Sequence, residues 1–131
     1  MYYCEICKKP ADKHHIIFKS EGGQDFPLNF KYLCPEHHRG RIGPHKNEKI
    51  NLIYRIELQE KLYELLPAEF YTPYKLSLLL EFNPNHMKRI LNSLKKYKEG
   101  YKTSEVIFKL MGNNNYTEDS LIEFSLYAIE L

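Results

Sequence analysis

The feature that most constrains this chain is the crowding of its cysteine and histidine residues near the amino terminus. All three cysteines and five of the six histidines lie between Cys4 and His45, in a chain of 131 residues. Cys4 and Cys7 are separated by two residues, and Cys34 and His37 repeat that spacing. A two-residue spacer lets two ligands share one turn, and four such ligands complete the tetrahedral shell of a structural zinc ion. We therefore predict a structural Zn²⁺ site formed by Cys4, Cys7, Cys34 and His37.

Four histidines of the same segment remain after these ligands are assigned. They are His14, His15, His38 and His45. A structural zinc ion does not need them, so we expect a second site with a chemical role. If the whole cluster were structural, these four side chains would have no function. The sequence leaves open whether His37 or His38 completes the zinc site, and the two-residue spacing after Cys34 favours His37.

Short motifs follow one another in a fixed order in residues 4–47. They are Cys-x2-Cys, then His-His-Ile at 14–16, Ser20-x-Gly22-Gly23, Asn29, Leu33-Cys34-Pro35-Glu36 and His37-His38-Arg39-Gly40. This segment, about a third of the chain, resembles the HNH (ββα-metal) endonucleases in the identity, order and spacing of these residues. It is most similar to the phage and mobile-element branch, in which a histidine replaces the last cysteine of the zinc knuckle. The resemblance implies that the doubled histidine opens a first strand and that the last histidines lie on a helix.

The resemblance also implies an activity and a role for each histidine. It implies a metal-dependent DNA endonuclease that hydrolyses phosphodiester bonds, with His15 as the general base. One catalytic divalent ion, Mg²⁺, Mn²⁺, Zn²⁺ or Ni²⁺, would be bound by His14, His38 and His45. Asn29 would position the strand that carries the base by hydrogen bonding across the loop. Asn47 is an alternative to His45, because the family often spaces its last two histidines more closely.

Composition and hydropathy narrow the class of protein. An apolar content of 43% is typical of a globular chain, and three cysteines that one zinc site can use fit a reducing cytoplasm better than a disulfide scaffold. The chain has no run of 18 or more apolar residues and no charged-then-apolar leader, so we expect a cytoplasmic protein without a membrane partner. The net charge of +2 is too small to predict nucleic-acid binding, and local patterning must support that partner.

Periodicity and breakers predict the elements of the first half. Residues 16–18 and Phe30–Leu33 are short β-prone runs, and we expect a hairpin with a long polar connection. Pro35 should begin a short helix that glycines interrupt. An apolar stripe over residues 51–66 predicts a packing helix that Pro67 ends. The expected fold class is α+β, with a zinc-stapled ββα-metal (HNH) domain at residues 1–66 and a small all-helical domain at residues 67–131.

The second half carries signals for four helices and a helix-turn-helix-like arrangement. Thr72-Pro73 and Asn83-Pro84 are start signals, the second for a helix over residues 86–98. A third helix should run from Thr103 to Gly112, and a fourth from residue 117 should carry Leu121, Phe124, Ile129 and Leu131. Met87, Ile90, Leu91 and Leu94 form the predicted buried stripe of the second helix.

The opposite face of that second helix is the predicted DNA-binding surface. Residues 85–102 hold six lysines and arginines against one glutamate, and a phosphate backbone would attract this excess. The expected DNA-binding residues are Asn85, His86, Arg89, Asn92, Lys95 and Lys96. Glu81 stands where such motifs usually have glycine, which leaves a helical bundle with a solvated basic face as the alternative.

Two rival functions follow from the same residues. A non-cleaving, zinc-containing DNA-binding regulator or a protein-binding inhibitor from a mobile element would use the same fold without an intact site. The presence of every expected histidine favours the enzyme. Double-strand cutting by a single active site would need a homodimer or two visits, and the sequence leaves both alternatives open.

Overall fold

Short strands and helices alternate in the computed structural model, which describes residues 1–122. The α+β class predicted from the sequence is confirmed. Buried apolar side chains from both halves of the chain belong to one hydrophobic cluster. Within the described part of the chain, no helix is both long and apolar enough to cross a membrane.

A three-stranded antiparallel sheet positions the amino-terminal histidines. Its strands are β1 (Tyr2–Tyr3), β2 (Pro10–His15) and β3 (Phe30–Leu33), in the order β1-β2-β3. The register pairs His14 with Lys31 and His15 with Phe30. The prediction for β3 is confirmed.

The predicted strand at residues 16–18 is wrong, because the strand lies at Pro10–His15. The doubled histidine therefore closes this strand instead of opening it. The chain leaves the ladder at this point because the Asn29 side chain binds the backbone of Ile17 on both sides, through N–H and C=O. Ile16 and Ile17 then enter the core.

Two helices follow the sheet. Helix α1 (Pro35–Arg39) begins at the predicted proline, and helix α2 (Glu48–Leu65) begins three residues earlier than predicted and ends before Pro67. The earlier start has a local cause, since Asn47 Oδ1 accepts a hydrogen bond of 3.1 Å from Ile50 N and caps the helix. Helix α2 buries Tyr54, Leu58 and Leu62.

The second half is not all-helical, which corrects the expectation for residues 67–131. Strands β4 (Phe70–Tyr71) and β5 (Tyr101–Lys102) pair in an antiparallel ribbon, and this half also contains three helices. These helices are α3 (Pro73–Leu80), α4 (Pro84–Leu91) and α5 (Thr103–Leu110). Residues 118–122 are helical where a fourth helix was expected, and Phe124, Ile129 and Leu131 lie outside the described residues.

Helix α4 is shorter than predicted and ends at Leu91, whereas the sequence suggested residue 98. Tyr97 and Gly100 exchange two backbone hydrogen bonds of 2.7 and 3.1 Å, and Gly100 has φ +122°, so the chain turns tightly into β5. Lys95 and Lys96 therefore lie in the connection after α4. The predicted buried stripe of Met87, Ile90 and Leu91 is confirmed, with Leu94 partly buried beside it.

A tight turn joins α3 to α4 without glycine. Glu81 takes the left-handed conformation itself, with φ +60° and ψ +46°. The departure from the usual glycine therefore does not prevent a tight turn between α3 and α4. It stores backbone strain instead, because a β-carbon disfavours this region of conformational space.

Contacts tie the two halves of the chain together across the predicted boundary at residues 66 and 67. The rings of Phe26 and Phe82 stack with centroids 4.8 Å apart. Arg55 forms two hydrogen bonds to the Glu21 carboxylate and one of 2.8 Å to Tyr116 Oη. The division into two domains remains a prediction, but the second half supports the loop that follows the doubled histidine.

Candidate functional site

Three cysteines and one histidine converge as the sequence predicted. Cys7 Sγ and Cys34 Sγ are 3.6 Å apart, Cys4 Sγ and His37 Nδ1 are 3.6 Å apart, and Cys34 Sγ and His37 Nδ1 are 3.2 Å apart. All four potential ligand atoms lie within 4.8 Å of one another. Two thiolates on a tetrahedral zinc ion, each with a Zn–S bond of about 2.3 Å, would be separated by about 3.8 Å. The Cys₃His cluster could therefore bind a structural metal ion.

Local backbone geometry holds the two ligand pairs. In the first knuckle, Cys4 N donates to Lys9 O at 2.7 Å and Lys8 N donates to Cys4 O at 3.0 Å, with Lys8 at φ +67°. In the second pair, Cys34 is the N-cap of α1, and its sulfur accepts a hydrogen bond of 3.5 Å from His37 N. The start of α1 and the sulfur cluster are thus fixed by the same residue.

Two thiols of the cluster differ in how readily they ionise. Burial opposes ionisation of Cys4, but backbone N–H groups of Cys34, Cys7 and Ile6 outweigh it and lower the pKa of the Cys4 thiol to about 6. The Lys9 N–H lowers the pKa of Cys7, yet burial and the two neighbouring cysteines together raise it. The Cys4 thiol therefore ionises readily, whereas the Cys7 thiol resists ionisation. A bound metal ion would offset the repulsion between neighbouring thiolates.

The other predicted ligand set also comes together. His14 is the second-last residue of β2, His38 lies on α1, and His45 lies in the loop between α1 and α2. The ring centroids are 4.9 Å apart for His14 and His38, 5.0 Å for His14 and His45, and 4.7 Å for His38 and His45. The Nε2 atoms of His38 and His45 are 3.0 Å apart, and potential ligand atoms of all three residues lie within 4.8 Å of one another. The alternative ligand Asn47 uses its side chain to cap α2.

Burial favours the neutral form of these three imidazoles. Burial, followed by the charges of His38 and His45, lowers the pKa of His14 to about 3. Burial also lowers the pKa of His38 and of His45. His14 Nε2 and His38 Nδ1 are buried without a hydrogen-bond partner among residues 1–122. Neutral imidazoles with free lone pairs are ligands that suit a divalent transition-metal ion, so this trio, with His14 and His38 buried and His45 exposed, fits such an ion.

His15 lies on the other side of the strand from His14, as adjacent residues of a strand must. Its side chain is 24% exposed, and its Nε2 is 2.7 Å from Asp25 Oδ1. The second carboxylate oxygen of Asp25 is 3.3 Å from Lys19 Nζ. The sequence analysis did not find Asp25, since no motif or periodicity distinguishes this aspartate within a polar loop.

Asn29 fixes the backbone next to His15. Its side chain is fully buried; Oδ1 accepts from Ile17 N at 2.8 Å, and Nδ2 donates to Ile17 O at 3.2 Å and to Gln24 O at 2.9 Å. Asn29 O also accepts from Ile16 N at 2.8 Å. These bonds cross the loop, in keeping with the positioning role predicted for Asn29.

His14 and His45 of the trio and the separate His15 open into one cleft with a volume of about 380 Å³. Its lining consists of His14, His15, Phe18, Lys19, Ser20, Arg39 and His45. Arg39 forms no ion pair within residues 1–122, and its charge contributes to the lowered pKa of His38 and His45. A larger concavity of about 470 Å³ between α2 and α5 contains neither histidine nor cysteine in its lining.

The predicted DNA-binding residues of the second half are divided between two environments. Asn85, Arg89, Asn92, Lys95 and Lys96 are exposed. The Lys95 ammonium lies 4.6 Å from the centroid of the Tyr97 ring. His86 differs from the others, because it is only partly exposed and its Nε2 is 3.0 Å from Gln24 Oε1 in the first half.

Comparisons with models of protein families, with curated proteins and with solved structures found no significant match. Function is therefore inferred from the site itself.

Proposed function

We propose that this protein is a metal-dependent DNA endonuclease of the HNH (ββα-metal) type. One observation supports this most: three neutral imidazoles converge on one point, and a fourth histidine, next to one of them in sequence, opens into the same cleft. The first three have the arrangement of ligands, whereas His15 is turned away from them and is free to act as a base. A protein that only binds DNA would not need this division of roles.

The two metal sites would differ in function. Cys4, Cys7, Cys34 and His37 would hold a structural Zn²⁺, since thiolates with one imidazole form a closed zinc site. His14, His38 and His45 would hold one catalytic divalent ion, and nitrogen ligands favour Zn²⁺ or Ni²⁺ without excluding Mn²⁺ or Mg²⁺. When bound, that ion supplies Lewis-acid stabilisation of the phosphate charge and of the departing 3′-oxygen.

The side chains that line the cleft would carry out the remaining tasks. His15 would accept a proton from the attacking water, a role that suits imidazole near neutral pH. Arg39, which forms no ion pair within residues 1–122, would bind a phosphate oxygen of the substrate, and Lys19, which also lines the cleft, would contribute. Asn29 would keep the His15 segment in place through its backbone bonds. No protein residue becomes covalently attached to the substrate in this scheme.

The second half would hold the DNA. Arg89, Lys95 and Lys96 are exposed, basic and close in sequence, and each phosphate contact would release bound counterions. Asn85 and Asn92 are exposed beside them and are able to contact base edges. His86 would instead link α4 to the loop near the active site.

A plasmid-nicking assay with and without divalent metal tests the proposed activity. We expect nicking that depends on added metal, and His15→Ala should reduce kcat by on the order of 100- to 10,000-fold while zinc content and DNA affinity stay at parental values. DNA binding without any nicking would instead indicate the regulator. A His15→Ala variant that cuts within a few-fold of the parent would show that the base is another residue.

A matched pair of arginines tests substrate binding in the cleft. Arg39→Gln should lower kcat/KM by about tenfold or more, because it removes a charge-assisted hydrogen bond to phosphate. Arg41→Gln removes the same charge two residues away, outside the residues that line the cleft, and serves as the control. Equal effects of the two substitutions would argue against a specific role for Arg39.

Salt dependence tests the DNA surface of the second half. The triple variant Arg89→Gln, Lys95→Gln and Lys96→Gln should bind DNA more weakly, with a log–log salt slope reduced by about 0.9 for each lost phosphate contact. A control variant removes three exposed lysines elsewhere: Lys9, Lys49 and Lys61. If both triple variants change the slope equally, residues 85–96 form a solvated basic face and the helical-bundle alternative holds.

A further inference from the structure

The Asp25 carboxylate makes a closer contact with the proposed base than any other charged group described. Its Oδ1 lies 2.7 Å from His15 Nε2, within the range of a charge-assisted hydrogen bond. Its Oδ2 lies 3.3 Å from Lys19 Nζ, so the two oxygens serve two different partners. His15 Nδ1 forms no hydrogen bond with residues 1–122.

An ionised carboxylate only accepts hydrogen bonds, and this fixes the chemistry of the ring. The hydrogen bond from His15 lowers the pKa of Asp25, with a further contribution from Lys19, so the carboxylate is ionised at neutral pH. Nε2 must then be the nitrogen that carries the hydrogen, and Nδ1 keeps its lone pair. When Nδ1 takes a proton from water, the ring becomes a cation beside an existing negative charge, which stabilises the product of that step.

The loop that carries Asp25 is held on both sides. On one side, Gln24 O accepts a hydrogen bond of 2.9 Å from the buried Asn29 amide, and Gln24 Oε1 pairs with His86 Nε2 of α4 at 3.0 Å. On the other side, Phe26 is buried and stacks on Phe82 of the α3–α4 turn. The carboxylate of Asp25 is 53% exposed, but the backbone beneath it is anchored at both neighbouring residues.

We infer that Asp25 is a positioning residue for His15, which holds the ring as the Nε2–H tautomer and leaves Nδ1 as the basic nitrogen, and that α3 and α4 support the loop that presents it. The catalytic consequence of this contact rests on the proposed nuclease function. The tautomer of His15 does not depend on that function. The alternative is that Asp25 only forms a surface ion pair with His15 and Lys19, and such pairs contribute little to stability. The two hypotheses differ in whether removal of the Asp25 carboxylate changes the tautomer of the His15 ring.

Nitrogen NMR of the zinc-loaded full chain tests the tautomer directly. Two-bond ¹H–¹⁵N correlations, recorded at a pH alkaline enough to make imidazole rings neutral, distinguish the nitrogen that carries hydrogen from the bare one. We expect the parent to hold His15 as the Nε2–H tautomer and Asp25→Ala to give a mixture. Asp119→Ala, which removes an exposed carboxylate elsewhere, should leave the His15 signals unchanged. A parent with the Nδ1–H tautomer, or an Asp25→Ala spectrum identical to the parent's, overturns the inference whether or not the protein cuts DNA.

Nicking kinetics on the same variants test the catalytic consequence. Loss of a partner that orients a metal-bound histidine costs on the order of 10- to 100-fold, and we expect a similar loss of kcat in Asp25→Ala, with KM changed less than about threefold. Asp25→Asn keeps the size of the side chain and should also lose kcat, which separates the missing charge from a folding defect. If the tautomer shifts but kcat stays parental, Asp25 orients a ring that does not act as the base, and the positioning role is refuted. If the parent does not nick DNA at all, the proposed function fails, while the NMR result still decides the contact.

Discussion

Replacement of Asn29 by alanine should destabilise the protein more than any other loss of a single amide in the described chain. The side chain has no exposed surface and forms three hydrogen bonds, one to Ile17 N, one to Ile17 O and one to Gln24 O. Solvent water cannot replace the two bonds to Ile17, since Ile17 is itself fully buried. Alanine would therefore leave Ile17 N–H and C=O without partners inside the core.

The magnitude follows from those bonds. Three hydrogen bonds at a net value of about 1 kcal/mol each give about 3 kcal/mol, and each backbone group left unsatisfied in the core adds to that figure. We expect a loss of roughly 3–5 kcal/mol in the free energy of unfolding. Single domains have only about 5–15 kcal/mol in total, so the variant should be close to the limit of stability.

Urea unfolding measures the effect, with parent and variant held at the same excess of zinc because bound metal contributes to the folded state. Asn51→Ala is the matched control. Asn51 lies on α2, and its Oδ1 is buried without a partner among residues 1–122, so its removal should change stability by less than about 1 kcal/mol, in the stabilising direction. A loss below about 1 kcal/mol for Asn29→Ala, or equal losses for the two variants, would refute the reasoning from hydrogen bonds.

Three further predictions concern metal, protons and strain. Removal of zinc, or Cys34→Ser, should unfold the amino-terminal half, since a structural zinc ion contributes on the order of 10 kcal/mol; circular dichroism that stays at parental ellipticity after chelation would contradict it. In protein that keeps zinc at Cys4, Cys7, Cys34 and His37 but has no ion on His14, the contribution of His14 to stability should be full above pH 6.5. It should fall as pH decreases toward 3, by up to about 1.4 kcal/mol per pH unit, because the unfolded chain binds a proton that folded His14, with its pKa of about 3, does not; urea midpoints that stay constant across this window would contradict it. Glu81→Gly should raise the free energy of unfolding by up to about 1 kcal/mol, because glycine relieves the left-handed strain, whereas Glu99→Gly, at a residue without positive φ, should not; thermal melts with the opposite order would argue against strain at Glu81.

The Cys₃His ligand set could be predicted from the sequence because its spacing is local. Each pair in the sulfur cluster spans one turn, so its spacing alone brings the two ligands together. His14, His38 and His45 have no such spacing, and only the family resemblance placed them at one site. The geometry that joins them depends on strand β2, which carries His14 next to His38 of helix α1.

The limits of the strands and of α4 could not be predicted, because tertiary contacts override local patterns there. Strand β2 is largely polar and has no apolar alternation; its pairing with strands on both sides stabilises it. Ile16 and Ile17 look more like a strand than the residues before them, yet they leave the sheet for the core. Lys95 and Lys96 would continue a helix, but the turn between Tyr97 and Gly100 removes them from it.

Asp25 illustrates a different kind of limit. Nothing in its neighbourhood marks one aspartate in a polar loop as a partner of His15, ten residues earlier. The contact exists because Asn29 and Phe26 fold the loop back against the strand. A contact of this kind depends on the residues that anchor the loop. A motif defined by its histidines alone therefore does not predict it.

Helix α1 has a consequence for anyone who wishes to graft this site onto another scaffold. It has only five residues, fewer than an isolated helix needs in water, yet it supplies His37 to one ligand set and His38 to the other. The histidine trio is therefore not a transplantable unit by itself, because α1 depends on the sulfur cluster for its start. A designer would have to move residues 4–45 as one cassette and rebuild beneath it the support that Arg55 gives to the Phe18–Glu21 loop.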